Sequence, residues 1–187
     1  MELKGLKTKT IGRNVIYYKV IDSTQLEAWR LKDISSGSII ITDRQTSGKG
    51  THGRAWQKKH DKDIAFSIKI DLDCDVSKLS NITLDIAKII VNEFQDLYNI
   101  KLYIKIPNDI TVNNKKVGGI LTETKIIGNT VKEMVIGIGI NLCKQEFDED
   151  LKDIATSIEN EENVEIDRLE IITEFCNRFE NLILEIY

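Results

Sequence analysis

An α+β fold is predicted by three features of the 187-residue sequence. Short β-branched or alternating runs fill its middle, two long stretches carry apolar residues at helical spacing, and hairpin signals join successive strands. Separated helices and mixed strands argue against an alternating strand–helix parallel array. The sheet is expected to be mixed, largely antiparallel and flanked by helices, and the length suits one domain spanning residues 1–187.

The elements follow in chain order. Residues 14–20 read as a short strand. Thr24-x-x-Glu27 forms a capping box that opens a helix running to about residue 33. Gly37-Ser38 turns the chain into Ile39-Ile40-Ile41, a run typical of a buried strand. Residues 46–56 are polar and glycine-rich. Residues 64–70 alternate apolar and polar at period two, the pattern of a half-buried strand. The clearest helix covers 77–98, where Leu79, Ile82, Ile86, Ile89, Ile90, Phe94 and Leu97 form one apolar stripe. A strand over 102–106 stops at Pro107. Strands at 109–112, 117–124 and 131–140 follow, joined by Asn113-Asn114 and Gly128-Asn129 turns. From Asp148 the chain is expected to be helical and acidic. It closes with a helix over 167–187 whose stripe is Leu169, Ile172, Phe175, Cys176, Phe179, Ile183 and Ile186.

Composition narrows the function. Apolar residues make up 41% and charged residues 30%, a globular balance that excludes a disordered or fibrous chain. A net charge of −4 is a poor footprint for nucleic-acid binding. No apolar run approaches the roughly 18 residues of a membrane span, and the N-terminus lacks a secretory pattern. Cys74, Cys143 and Cys176 are odd in number and far apart, which reads as reduced thiols in a cytoplasmic protein. His52 and His60 alone exclude a multi-histidine metal centre. The chemistry is left to lysines, arginines, backbone amides, a few polar side chains and Mg²⁺ from solution.

Four stretches could carry that chemistry. Gly48-x-Gly50-x-x-Gly53 matches the dinucleotide pattern, but no apolar helical stripe follows it. Nor is it a Walker loop, because Gly50 stands after Lys49 where a hydroxyl is required. It is either a plain surface loop or a lid whose amides and cations, Lys49 and Arg54, close over an anion, with Trp56 as a face for a flat base. Lys105-Ile106-Pro107-Asn108-Asp109 is good turn chemistry and also gathers polar groups around a rigid proline. Glycines weaken a strand, so those in Lys116-Val117-Gly118-Gly119 and Gly137-Ile138-Gly139-Ile140-Asn141 hint that a ligand or another backbone comes close. Together they describe a floor and a lid for a phosphate-bearing ligand.

Ser23-Thr24-Gln25, residues 45–56, Lys105 to Asp109, Lys116 to Leu121 and Gly137 to Asn141 together resemble, in order and spacing, the catalytic domain of biotin protein ligases. The resemblance covers roughly residues 14–187. It implies the biotin/lipoyl protein ligase catalytic-domain type of α+β fold. It also implies a two-step reaction with ATP and biotin as substrates and Mg²⁺ as cofactor. Biotin is activated as biotinyl-5′-AMP and then passed to a lysine of a biotin carrier domain, such as that of acetyl-CoA carboxylase. By this resemblance Ser23, Thr24, Gln25, Gln45, Lys49, Gly50, Thr51, Lys116 and Gly119 bind biotin. Lys49, Arg54, Trp56, Asn108, Lys116 and Asn141 bind ATP. Lys116, Asp109 and Arg54 are the catalytic groups, and Mg²⁺ arrives with ATP near Asn108 and Asn141 without a fixed metal site. Related lipoyl and octanoyl transferases share the fold, but their triple-glycine signature is absent from this sequence. A non-catalytic biotin or biotinyl-adenylate binding protein is the other alternative. Retention of Lys116, Asn108, Asp109 and Asn141 together favours the enzyme.

The sequence departs from the family pattern in three respects. Only 22 residues precede Ser23, so the DNA-binding helix-turn-helix of repressor ligases is not expected. The small C-terminal β-barrel is likewise not expected. The usual Gly-Arg-Gly-Arg loop reads Gly48-Lys49-Gly50-Thr51 here, which keeps one charge and loses the bidentate forks. The resemblance also allows a homodimer paired through a sheet edge.

Overall fold

The computed structural model describes residues 2–56 and 60–186. Among these, strands β1 (Val15–Ile21), β2 (Ser38–Gln45), β5 (Ile64–Asp75), β6 (Tyr103–Lys105), β7 (Asp109–Val112), β8 (Lys115–Ile127) and β9 (Thr130–Ile140) form one sheet in the order β1-β2-β5-β9-β8-β7-β6. Only β1 and β2 run parallel; every other neighbouring pair is antiparallel. A separate two-stranded hairpin, β3 (Gly48–Lys49) and β4 (Ala55–Trp56), spans the glycine-rich stretch. Helices are α1 (Thr24–Arg30), α2 (Ile82–Tyr98), α3 (Ile158–Glu161) and α4 (Arg168–Ile186). The fold is the mixed, mostly antiparallel α+β arrangement read from the sequence.

Local chemistry accounts for most boundaries. Asn113 and Asn114 both adopt positive φ, 49° and 64°, and let the β7–β8 hairpin turn in two residues. Asn99, at φ 55°, caps α2 by donating its N–H to the carbonyls of Gln95 and Phe94. The capping box expected from Thr24 and Glu27 does not form, and a simple N-cap one residue earlier takes its place. Ser23 is the N-cap, its Oγ accepting from Leu26 N–H, while the Thr24 hydroxyl is committed to Gln45. Helix α1 ends at Arg30, short of residue 33, and residues 76–79 are a 3-10 turn ahead of α2.

Two expectations need correction. Strand β5 is not half-buried: every residue from Ile64 to Ile70 is buried, Ser67 and Lys69 included. Phe66, Ile68 and Ile70 face the main core with α2 and α4, while α1 covers the opposite face and shuts the polar residues away from water. The acidic stretch from Asp148 is mostly turns, with only the four residues of α3 helical. Its backbone is used otherwise: Lys116 N–H donates to Ile154 O and Thr156 N–H to Lys116 O, each at 2.8 Å. The last helix is as expected from residue 168; Tyr187 lies outside the described residues.

Helices α2 and α4 pack on one face of the sheet, where Phe94, Phe175 and Phe179 are fully buried. Helix α1 covers part of the other face, with Ala28 over Ile40 and Val135 and with Leu31 and Ile34 packed beside them. The rest of that face is the candidate site. Among the described residues no helix is long and apolar enough to cross a membrane.

Candidate active site

Strand register builds the site floor as a grid. Ala65, Gly139, Gly119 and Asp109 are cross-strand partners along one row; Ser67, Gly137 and Leu121 form the next, and Lys69, Val135 and Glu123 the third. Since side chains alternate between faces, all of these belong to the face opposite α2 and α4.

The glycines of these strands have separate causes, and Gly118 differs from the others in facing the opposite side of the sheet. A Cβ on Gly118 would stand 2.9 Å from Gly139 O, so there the neighbouring backbone is the constraint. At Gly137 the obstacle is Gln25 Oε1 at 2.6 Å, and at Gly139 it is the Trp56 indole, with Nε1 at 2.6 Å. Of the two causes expected from the sequence, a close backbone applies at Gly118, whereas at Gly137 and Gly139 the room is taken by the chain's own side chains, Gln25 and Trp56. With Trp56 and Gln25 seated on the floor, about 40 Å³ stays open, space for a few waters. Trp56 lies over Gly139 on this floor, and its buried Nε1 meets no hydrogen-bond partner among the described residues.

At the α1 end, the capping of the helix by Ser23 leaves Thr24 N–H and Oγ1 free to donate to Gln45 Oε1, at 2.8 and 3.2 Å. Gln25 Nε2 donates to Glu123 Oε2 at 2.9 Å and Val135 O at 3.2 Å. The Ser67 hydroxyl reaches both Thr24 Oγ1, at 2.9 Å, and Gln25 Oε1, at 3.2 Å. At the other end Lys116 Nζ lies 2.6 Å from Asp109 Oδ1 and 5.9 Å from the Trp56 ring centroid. Asn108 Nδ2 donates to Ile120 O at 3.0 Å and lies 3.5 Å from Thr51 Oγ1. The site thus has a neutral, hydrogen-bonding end and a cationic end, joined by a glycine floor.

Residues 17–141 match the family model for the Biotin/lipoate A/B protein ligase family. The chain belongs to this family. A bifunctional ligase/repressor BirA from Bacillus subtilis (strain 168) is 36% identical over 180 residues, covering 94% of this chain and 55% of its own. A biotin--[acetyl-CoA-carboxylase] ligase from Paracoccus denitrificans is 32% identical over 127 residues, 65% of this chain and 52% of the relative. Among solved structures, biotin protein ligase from Aquifex aeolicus in complex with biotin and ATP superposes with a TM-score of 0.75 at 28% identity, over 92% of this chain and 71% of that one. The chain spans about half the length of the curated relatives it matches.

The pocket lining brings together Ser23, Thr24, Gln25, Gln45, Lys49, Gly50, Thr51, Trp56, Asn108, Lys116 and Gly119. Asp109 joins them through Lys116. Arg54 is exposed and lies outside the lining, as does buried Asn141, whose Nδ2 donates to Thr156 O at 3.1 Å. Sequence reasoning missed Ser67 and Glu123; Leu121 lay in a stretch it singled out but was given no role. Ser67 carried a signal, a polar residue inside an apolar strand, but period-two alternation assigned it to solvent.

Proposed function

We propose that this chain is the catalytic unit of an ATP-dependent biotin–protein ligase. The observation that carries the reading is the two-ended pocket. An ammonium group, Lys116, stands at one end, and amide and hydroxyl groups suited to a cyclic urea stand at the other. The biotin carboxylate attacks the α-phosphorus of ATP, the bond to the bridging oxygen breaks, and pyrophosphate leaves. Two anions meet in that step, and Lys116 offsets their repulsion; one such donor is typically worth about 3–4 kcal/mol in the transition state. A carrier lysine amine then attacks the acyl carbon of biotinyl-5′-AMP, AMP leaves, and the amine loses a proton, with Asp109 orienting the nucleophile.

Lys49, Gly50 and Thr51 serve as the lid that keeps water from the adenylate. Trp56, once off the floor, offers its face to adenine, and Arg54 swings in as a phosphate-side cation. Mg²⁺ arriving with the nucleotide would supply charge screening of its phosphates. Among the described residues no three His, Cys, Asp or Glu side chains gather as a ligand set. Asn108 in the lining, and Asn141 outside it, are the residues that would meet such a cation, through their amide oxygens. The carrier is the biotin domain of a biotin-dependent carboxylase. Buried, unpaired Cys74, Cys143 and Cys176 support a reducing, cytoplasmic setting. A homodimer would pair through the sheet edge at β1 or β6.

Biotin-dependent exchange of radiolabelled pyrophosphate into ATP tests the reading. Exchange that requires biotin supports the ligase. Biotin binding without exchange identifies a sequestering protein, and exchange driven by octanoate or lipoate identifies a lipoyl-type enzyme.

A further inference from the structure

Glu123, in the third row of the grid on β8, accepts two hydrogen bonds on one oxygen: from Gln25 Nε2 at 2.9 Å and from Trp29 Nε1 at 2.8 Å. The other amide contact of Gln25 Nε2 is to Val135 O. Both Gln25 amide hydrogens are thereby drawn toward acceptors, which turns Oε1 the opposite way, over Gly137 and within 3.2 Å of Ser67 Oγ. An amide has nearly the same shape in its two flipped forms, so only its partners decide which end faces the pocket. An acceptor-only carboxylate is a strong arbiter, because a flipped amide would aim its carbonyl oxygen at it.

We propose that Glu123 is a positioning residue of the pocket. By holding the Gln25 amide nitrogen, it presents Gln25 Oε1 at the floor as an acceptor for an N–H of the ligand. The inference rests on the reading of this pocket as a biotin site, whose cyclic urea carries two such N–H groups. Ser67 Oγ lies within reach of both Gln25 Oε1 and Thr24 Oγ1, and Thr24 Oγ1 donates to Gln45 Oε1, so these four side chains form one connected cluster. A neutral end whose donors and acceptors are fixed in advance binds a ureido ring without reorganising. Glu123 acts through Gln25 and stays out of the chemistry, so its effect should fall on biotin binding and spare turnover.

Calorimetry with biotin and biotin-dependent pyrophosphate exchange test this on the full chain. Glu123→Met keeps the length and removes the acceptor. It should raise the biotin Kd and KM roughly 10- to 100-fold, leaving the ATP KM and the saturated exchange rate within about 3-fold. Glu123→Gln can still offer one carbonyl oxygen to both donors and should restore the wild-type KM. Trp29→Phe removes the other donor to that oxygen without touching Gln25 and should leave the biotin KM unchanged. If Glu123→Met does not fold, Glu123→Ala takes its place, since water can then reach both donors. A biotin KM equal to wild type in the folded acceptor-less variant overturns the proposal. So does a Trp29→Phe KM raised as far as that of Glu123→Met, because the carboxylate would then act by seating α1. If wild-type protein binds no biotin, the reading of the pocket fails and takes the inference with it.

Discussion

Lys116 Nζ and Asp109 Oδ1 are 2.6 Å apart, on side chains 34% and 25% exposed. Both residues sit beside Gly119: Asp109 is its cross-strand partner, and Lys116 Nζ lies 3.4 Å from where its Cβ would be. The pair joins the two halves of the proposed reaction, since one partner meets the anions and the other the amine. At this exposure the ion pair is worth no more than about 1 kcal/mol to folding. Its placement is not a device for stability.

Lys116→Ala should therefore lower biotin-dependent pyrophosphate exchange by roughly 10²- to 10³-fold, with a thermal midpoint close to wild type. Asp109→Asn should keep most of the exchange and slow transfer to a carrier lysine. If both variants lose exchange equally, the division of labour between the two residues is wrong.

Trp56 lies on Gly139 and Gly119 and fills the floor. Binding of biotin with ATP should displace it and change its environment from half-buried, with Nε1 lacking a partner among the described residues, to stacked. Because the chain has two tryptophans, the source of the signal can be separated. Intrinsic fluorescence should respond to the substrates in wild type and in Trp29→Phe, and lose the response in Trp56→Phe. A response that survives in Trp56→Phe would mean the indole keeps its place when substrates bind.

The elements that the sequence made legible are those whose causes are local. The Asn113-Asn114 turn needs only two residues that tolerate positive φ, and the stripe from Leu169 to Ile186 needs only helical period. Burial of Ser67 and Lys69 depends instead on α1, which lies more than thirty residues earlier, so no window around β5 could report it. The stretch after Asp148 has a helix-compatible composition, but its N–H groups and carbonyls are drawn to the backbone of Lys116 and Asn141. In the site, the glycine-marked strands pointed to the floor. Glu123 gave no sign, because its partner Gln25 is ninety-eight residues away. Tertiary pairings of that kind leave no periodic trace.

Glu93, on α2, is fully buried toward α4, and neither carboxyl oxygen meets a partner among the described residues. Burial pushes its pKa up to about 9; Arg178 pulls it down, and Glu174 and Asp96 add to the rise. The folded protein thus holds a proton that the unfolded chain releases near 4.5. Its contribution to stability is full below that value and drains as the pH climbs toward about 9. Glu93→Met, of similar volume, should flatten this slope and stabilise the protein by roughly 1–4 kcal/mol at alkaline pH. Denaturant midpoints measured from acid to alkaline pH check it, and parallel slopes in the two proteins would contradict it.

Thr51 lines the pocket, its Oγ1 3.5 Å from Asn108 Nδ2, in the loop where the resembling family carries an arginine. An arginine there can make charge-assisted bonds to the adenylate phosphate, each worth about 1.5–3 kcal/mol. A threonine supplies one neutral hydroxyl, and Lys49 on the same loop supplies a charge without a fork. The lid should accordingly hold biotinyl-5′-AMP loosely, and the escaping mixed anhydride should acylate whatever lysines it meets. Incubating the protein with biotin, ATP and serum albumin, with no carrier present, should biotinylate the albumin and the enzyme itself. Thr51→Arg should cut that labelling several-fold while transfer to a carrier domain continues. Equal albumin labelling by both proteins would mean that Lys49 or Arg54 already holds the adenylate and that Thr51 does not set the leak.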